Sequence, residues 1–219
     1  MHRDDNRPAC FGRRRTFAAI ALGVTGLAAG RGLSAALLAT PAQTRGPFYP
    51  QTLPLDSDND LVRVEGRSGL ARGEITDLDG RVLDPRGRPV AGARVEIWQC
   101  DAYGRYHHPW DRRNVPLDED FQGYGRFTTS SEGAYRFRTI KPVPYPGRAP
   151  HIHFAVTAPG ADPFITQMYV AGAPENQRDF LLNRVGDPRA RARLIVDFSP
   201  AEDGAAALKA RFDIVLGEI

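Results

Sequence analysis

Residues 80–98 read GRVLDPRGRPVAGARVEIW, two short apolar stretches on either side of a cluster of turn residues. In the cluster at 84–89, proline fixes the backbone angle φ and glycine is free to take a positive φ, which is typical of a tight turn. Beyond the cluster, the apolar residues Ala93, Val95 and Ile97 alternate with Arg94, Glu96 and Trp98. This two-residue period is typical of a strand with two different faces. The segment therefore predicts a strand, a turn and a second strand.

Short apolar stretches and turn residues continue along the chain, which holds 22 Gly and 18 Pro and few helix-period runs. We predict strands near 73–83, 93–99, 124–129, 134–140, 151–157, 164–170, 194–199 and 211–216. Residues 131–133 predict a hairpin between the third and fourth of these strands. The one helix that the sequence predicts is 200–210, with Ser199 as its cap. The predicted fold class is all-β, a β-sandwich with an extended N-terminal arm and little helix.

The beginning of the chain has the features of an export signal. Arg14 and Arg15 form a twin-arginine pattern, and the weakly apolar stretch at 17–30 is too short to span a bilayer. We predict a twin-arginine-type signal peptide at 1–42, an N-terminal arm at 43–72 and a β-sandwich domain at 73–219. This division predicts a periplasmic or extracellular protein without a stable membrane span. A leader that is retained as a buried or lipid-anchored helix is the alternative.

The basic excess of the chain lies in the predicted leader. The full chain has a formal net charge of +3, but residues 1–42 carry six of its 29 basic and two of its 26 acidic residues. The remaining residues therefore have a net charge of −1, which argues against a nucleic-acid partner. Only Cys100 follows the leader, so no internal disulfide is expected once the leader is removed.

Two histidines and two tyrosines are candidate metal ligands. His151 and His153 flank Ile152 in a predicted strand, so both imidazoles point to one face. Tyr145 lies in a loop stiffened by three prolines, and Tyr106 lies just beyond a predicted strand. Taken singly, the histidines are also compatible with a core or surface pair, and each tyrosine with packing. Taken together, phenolate oxygen and imidazole nitrogen suit Fe(III) better than Zn(II), Cu(I) or Mg(II).

Six stretches of the chain carry a resemblance to one enzyme family. They are TRGPFYP (44–50), GRVLDPRGRPVAGARVEIWQCDAYGRY (80–106), FRTIKPVPYP (137–146), PHIHF (150–154), ITQMY (165–169) and RFDIVL (211–216). In this order they resemble the intradiol ring-cleavage dioxygenases, the family of protocatechuate 3,4-dioxygenase and catechol 1,2-dioxygenase. The resemblance implies a β-sandwich that holds a mononuclear non-haem Fe(III).

The resemblance also implies roles for individual residues. Tyr145 matches the tyrosinate that leaves the metal when substrate binds, Arg148 an active-site cation, and Gln167 a glutamine close to the iron. The implied metal ligands are Tyr106, Tyr145, His151 and His153. The implied reaction is cleavage of a catechol-type aromatic by O₂, with both oxygen atoms incorporated, to a cis,cis-muconate-type product. The implied partners are a small aromatic diol, O₂ and further subunits of a homo- or hetero-oligomer.

Other interpretations of the same residues stay open. The loop from Tyr145 to His151 is shorter than in the well-known family members, and Gly147 stands where a bulky residue is frequent. We therefore hypothesise an open site for larger catechols, while the natural substrate stays undetermined. Residues 80–97 also resemble non-catalytic, extracellular transthyretin-like binding modules. His151 and His153 are in addition compatible with a zinc hydrolase, although a third ligand is not evident.

Overall fold

The computed structural model describes residues 36–54, 56–202 and 206–217. Within these residues, ten strands form two five-stranded sheets that pack as a sandwich. The strands are β1 (Ile75–Leu83), β2 (Arg94–Trp98), β3 (Tyr124–Thr128), β4 (Ala134–Ile140), β5 (His151–Thr157), β6 (Phe164–Val170), β7 (Ile195–Val196), β8 (Phe198–Pro200), β9 (Leu208–Arg211) and β10 (Ile214–Val215). The predicted all-β class is confirmed.

The first sheet is organised around β1, the longest strand. β1 pairs antiparallel with β4, from Ile75 opposite Ile140 to Arg81 opposite Ala134. It also pairs parallel with β9 and with β10, and β8 extends the sheet beyond β9. The second sheet has the order β3–β2–β5–β6–β7. In that sheet β5 lies at the centre, antiparallel to β2 on one side and to β6 on the other.

The core lies between the sheets and is built by alternate residues of their strands. Leu78 and Val82 of β1 are buried there, as are Ile152 and Phe154 of β5. The ring of Phe154 contacts that of Phe212, with centroids 5.1 Å apart. Six of the seven residues of β5 are buried, so both faces of this strand are covered. A strand in this position offers a desolvated face on the side away from the core.

The predicted helix at 200–210 is wrong. In the described part of that segment, Phe198–Pro200 is β8 and Leu208–Arg211 is β9, an antiparallel pair at the edge of the first sheet. Ala207 donates its N–H to the carbonyl oxygen of Ile75, just before the parallel register between β9 and β1 begins. Helix propensity is a weak preference in so short a segment, and strand pairing with β1 outweighs it.

The predicted hairpin at 131–133 is also wrong, although both of its strands exist. The turn is present, because Gly133 has a φ of 68° and donates its N–H to the carbonyl oxygen of Ser130. However, β3 pairs with β2 in the second sheet, whereas β4 pairs with β1 in the first. The turn therefore carries the chain between sheets, since a local turn signal does not specify the partner of each strand.

Six of the eight predicted strands are observed close to their predicted bounds. The six strands predicted between 73 and 170 are observed within two residues of their predicted bounds, and the last two predicted strands are divided among β7 to β10. Helix within the described residues is limited to α1 (Phe180–Asn183), α2 (Pro188–Ala192) and a 3₁₀ turn (Pro174–Gln177). None of the described helices has the length and apolar character that crossing a membrane requires. Residues 1–35 of the predicted leader lie outside the described residues.

Candidate metal centre

The strand β5 carries two imidazoles on the face of its sheet that points away from the core. Ile152 is in the core, so the alternation of the strand turns His151 and His153 to the opposite face. The antiparallel register places Gln167 of β6 beside His153 and Tyr169 beside His151. Four polar or aromatic side chains thus share one surface of the second sheet.

Two loops bring tyrosines to this surface. Tyr106 follows a turn after β2, in which the buried carboxylate of Asp101 accepts two backbone N–H groups. Tyr145 lies in the proline-rich loop after β4, where Gly147 has a φ of 83°. Arg148 donates its backbone N–H to the carbonyl oxygen of Tyr145, which closes a tight turn. Both tyrosines are therefore fixed by their own loops.

The four predicted ligands converge on one point. The Nε2 atom of His151 lies 3.2 Å from Nε2 of His153 and 3.5 Å from the hydroxyl oxygen of Tyr106. The ring centroid of Tyr145 lies 5.5 Å from that of His151 and 5.7 Å from that of Tyr106. Tyr145 is half-buried, and the other three are almost fully buried. Donor atoms that each lie about 2 Å from one metal ion are about 3 Å apart, so the spacing of the His151, His153 and Tyr106 donors fits a metal ion.

Burial determines the protonation of these groups. Burial, reinforced by the nearby charge of Arg148, lowers the pKa of His151 to about 3. Burial also holds the pKa of His153 well below its usual range, so both imidazoles are neutral at neutral pH. The pKa of Tyr106 is raised well above its usual value by burial. The pKa of Tyr145 is raised by burial as well, although Arg148 opposes the shift. Ionised phenols therefore need a cation to compensate their charge.

The hydrogen bonds of the histidines leave lone pairs free for a cation. Nδ1 of His151 lies 2.6 Å from the carbonyl oxygen of Ala149, so Nδ1 carries the proton and Nε2 a lone pair. Nδ1 of His153 has no partner among the described residues, and its ring stacks on Trp98 at 4.8 Å between centroids. Within the described ranges, no three His, Cys, Asp or Glu side chains converge. The further side chains that border this point are those of Tyr106 and Tyr145.

Arg148 lies next to the tyrosines and is held by three acceptors. Its Nε donates to Asp179 at 2.9 Å, and its Nη2 donates to Oε1 of Gln167 at 2.6 Å and to the hydroxyl of Tyr169 at 3.2 Å. The side chain of Arg148 is only 10% exposed. A guanidinium bound by three acceptors has one orientation, so Arg148 presents a fixed positive charge beside Tyr145.

Asp179 is the fully buried partner that holds Arg148 in place. Besides Arg148, its carboxylate accepts the backbone N–H of Ala149 at 2.8 Å and caps α1 through the N–H groups of Leu181 and Leu182. Burial alone would raise the pKa of Asp179, but these hydrogen bonds and the charge of Arg148 outweigh it and lower the pKa below its usual value. Asp179 thus connects the start of a helix to the loop that precedes β5.

The N-terminal arm covers one side of the centre. Nε2 of Gln167 donates a hydrogen bond to the carbonyl oxygen of Thr44 at 2.8 Å. Gly46 lies so close to His153 that a Cβ atom at this position would be 3.3 Å from Cε1 of the imidazole. The φ of Gly46 is 71°, a value that favours glycine. The arm therefore packs directly on one of the predicted ligands.

Aromatic residues of the arm complete this cover. Phe48 stacks on Tyr106, with ring centroids 4.5 Å apart. The hydroxyl of Tyr49 donates to the buried carboxylate of Glu96 at 3.1 Å, and Tyr124 donates to the same oxygen. The arm is thereby attached to β2, and the apolar rings around Tyr106 exclude water from it.

A cavity of about 490 Å³ opens beside Tyr145 and Arg148. Its lining consists of residues 144–149 together with Glu175, Arg178 and Asp179. Gly147 lies in this wall, and a Cβ atom added there would meet nothing within 4 Å. The volume lies in the range that accommodates drug-sized ligands, so the cavity has room for more than a single aromatic ring.

The structure brings the six sequence-predicted site residues together around this centre, but sequence reasoning missed several residues that hold them. Tyr169 could have been identified, because it lies two residues after Gln167 on a strand and therefore on the same face. Asp179 and Glu96 had no such signal, because their contacts join segments that are far apart in sequence.

Comparison with known proteins identifies the family. A sequence profile described as Dioxygenase matches residues 44–218. The beta chain of protocatechuate 3,4-dioxygenase from Burkholderia cepacia is 44% identical over 170 residues, which are 73% of this chain and 71% of that protein. The chain belongs to the intradiol ring-cleavage dioxygenases. Its membership in a family of oxidoreductases that act on catechol-type rings disfavours the alternative of a non-catalytic binding module.

Other intradiol dioxygenases match in sequence or in structure. Hydroxyquinol 1,2-dioxygenase from Corynebacterium glutamicum is 33% identical over 62% of this chain, and the match spans only about half (48%) of that protein. The dioxygenase domain of a carbohydrate-binding fusion protein from Streptomyces sp. SirexAA-E has a TM-score of 0.63 at 28% identity, covering 83% of this chain and 99% of that one. Catechol 1,2-dioxygenase from Acinetobacter sp. ADP1 has a TM-score of 0.63 at 27% identity, covering 83% and 63%.

The role of Asp179 gives a prediction about stability. We expect Asp179→Asn to lower the free energy of unfolding by about 3 kcal/mol at neutral pH, because it leaves the buried charge of Arg148 without its counter-ion. The pKa of Asp179 is lowered in the folded state, so its contribution is present above the unfolded pKa of about 4 and is lost as the pH falls below it. Urea unfolding at a series of pH values measures both effects.

Asp187→Asn is the matched control for this prediction. Asp187 caps α2 through the N–H of Arg189 but is exposed and forms no ion pair with a described residue. Asparagine caps helices about as well as aspartate, so this variant should stay within about 0.5 kcal/mol of the wild type. Equal losses in the two variants would contradict the role assigned to the Arg148–Asp179 pair.

Proposed function

We propose that Tyr106, Tyr145, His151 and His153 hold one Fe(III) ion, and that the protein cleaves a catechol-type ring between its two hydroxyls to a cis,cis-muconate-type product. The observation that carries the proposal is the convergence of two neutral imidazoles and two phenols, with Nε2 of His151 3.2 Å from His153 Nε2 and 3.5 Å from the oxygen of Tyr106. Family membership supports the same chemistry.

The set of donors favours a hard trivalent cation. Phenol oxygens ionise in a buried site only when a strongly charged ion compensates them, and burial opposes ionisation of both Tyr106 and Tyr145. When bound, Fe(III) supplies Lewis acidity that withdraws electron density from a bound catecholate and makes its ring open to attack by O₂.

The chain itself supplies proton transfer and charge stabilisation. A catechol that binds as a dianion loses two protons. The phenolate oxygen of Tyr145, which borders the cavity, accepts one of them, and the other passes to solvent in the open cavity. Arg148 lies in the same wall with its guanidinium held by Asp179 and Gln167. A fixed cation at this position stabilises negative charge that develops on the ring during cleavage. Gln167 acts by orienting Arg148.

The protein also controls access of water to the centre. Phe48 and Trp98 pack against Tyr106 and His153 respectively, so these two ligands are covered by aromatic rings that do not line the cavity. Low polarity around the donors strengthens the interaction between a cation and its anionic ligands. Only Tyr145 of the four proposed ligands is half-buried and lines the cavity. Substrate therefore reaches the centre on the side of Tyr145.

The proposal predicts the iron content and colour of ligand variants. Purified wild-type protein should bind one iron ion per chain and absorb visible light through tyrosinate-to-iron charge transfer. Tyr106→Phe and Tyr145→Phe should each alter the absorption, and differently, because the two phenols differ in burial. His153→Ala should lower iron affinity by more than about 100-fold, beyond the cost of losing a residue that only hydrogen-bonds a ligand. Elemental analysis and visible absorption spectra measure these effects.

His107→Ala is the matched control for the histidine variant. His107 is exposed, and its imidazole packs against Phe121 rather than against the four proposed ligands. Its replacement should leave iron content and colour unchanged. A colourless wild-type protein that binds no iron and gains no ring-cleaving activity on loading would overturn the proposed function.

We further propose that the open cavity accepts catechols with bulky substituents. Gly147 leaves the cavity wall open, and the cavity of about 490 Å³ exceeds the needs of unsubstituted catechol. We expect Gly147→Trp to reduce kcat/KM for bulky catechols by at least about ten-fold relative to kcat/KM for catechol, because the indole occupies part of the cavity. Oxygen uptake with catechol, protocatechuate and larger substituted catechols measures this ratio.

Gly147→Ala separates bulk from backbone strain. Both variants place a side chain at a φ of 83°, so both carry the same strained conformation, but alanine adds little volume. Gly147→Ala should therefore leave the substrate ratio close to that of the wild type. Turnover of unsubstituted catechol alone by the wild-type enzyme would contradict the open-cavity proposal.

We propose that the chain is exported in folded form through the twin-arginine route. Arg14 and Arg15 precede a short apolar stretch, and export after folding suits a protein whose metal is bound beforehand. Replacing both with lysine should retain the protein in the cytoplasm, whereas Arg7→Lys should leave export unchanged. Cell fractionation with immunoblotting measures the distribution, and export of the double variant at the wild-type level would contradict the assignment.

A further inference from the structure

The loop that follows Tyr106 carries an ion pair between a buried carboxylate and a half-buried guanidinium, and the pair contacts both tyrosines of the centre. The carboxylate of Asp111, 1% exposed, accepts hydrogen bonds from Nε and Nη2 of Arg113. It also accepts the backbone N–H of Tyr106 at 2.8 Å. The guanidinium of Arg113 lies over the ring of Tyr145, with Cζ 5.0 Å from the ring centroid. One ion pair therefore connects the loops that carry the two tyrosines.

This contact has a direct electrostatic consequence for Tyr145. A guanidinium over the face of an aromatic ring is attracted by the ring's quadrupole, and an ionised phenol attracts it more strongly than a neutral one. Arg113 is protonated at all relevant pH values, and its bond to buried Asp111 fixes its position. Neither residue lines the cavity beside Tyr145, so contact with substrate does not explain the pair.

We propose that Arg113 is a positioning residue for Tyr145. It holds the phenol ring in one orientation, while Asp111 ties the position of Arg113 to the backbone of Tyr106. The inference rests on the proposed function, since it takes Tyr145 to be an iron ligand. Arg113 thereby acts on the centre through the ring of Tyr145, without lining the cavity itself.

Visible absorption of the iron-loaded full chain tests this role, with Arg112 as the matched control. Arg113→Met should displace the charge-transfer band and lower kcat by about 2- to 30-fold, the size of one cation–π contact, with KM changed less than about two-fold. Arg113→Lys keeps the charge and should restore most of both properties. Arg112 is the exposed neighbouring residue, so Arg112→Met makes the same charge change and should leave the spectrum unchanged. Thermal unfolding of each variant establishes that it is folded.

The same substitution in a Tyr145→Phe background shows whether Arg113 acts through Tyr145. There the remaining band arises from Tyr106, and Arg113→Met should no longer displace it. An equal displacement in both backgrounds, or a wild-type-like spectrum for Arg113→Met alone, overturns the inference while the proposed function stands. A colourless wild type that takes up no iron overturns the proposed function, and the inference with it.

Discussion

The structure depends on a strand that is buried on both faces. Along β5, Ile152 and Phe154 enter the core between the sheets, and the alternation of the strand turns His151 and His153 to the opposite side. A change of one residue in the register of β5 would exchange the two sets, moving imidazoles into the core and apolar side chains into the centre. Pairing with β2 and β6 on both edges prevents that change, so the stability of the sandwich and the geometry of the centre have one origin.

Around this strand, charged groups that are costly to bury are each compensated by a specific partner. Arg148 is matched by Asp179, and Asp111 by Arg113. Each carboxylate also accepts a backbone N–H next to or within the centre, from Ala149 and Tyr106 respectively. Ion pairs in an apolar environment add little net stability, but they admit few alternative geometries. The main contribution of these ion pairs is to fix the backbone of the loops that carry Tyr106, Tyr145 and Arg148.

The sequence predicted what is local and missed what is not. The strands from 73 to 170 follow from two-residue periodicity and turn residues, and His151 with His153 follow from the same period. The predicted helix at 200–210 is wrong because strand pairing with β1 outweighs a weak helix propensity. The predicted hairpin at 131–133 is wrong because a turn does not specify which strands pair with each other. Tyr106 and Tyr145 emerged only as a combination with the histidines and through the family resemblance. Asp179 meets Arg148 across 31 residues, a separation that no local pattern encodes.

The centre is preformed in shape but not in charge. Its histidines lie on a paired strand, the turn before Tyr106 is held by Asp101, and Tyr145 lies in a loop of three prolines, so the donors need little reorganisation to receive an ion. Burial nevertheless keeps the imidazoles neutral and opposes ionisation of the phenols. Binding of a cation here would therefore release protons rather than rearrange the fold. With the proposed ligands, the site would select its ion by charge, because only a strongly charged cation offsets the cost of placing two phenolates in an apolar environment.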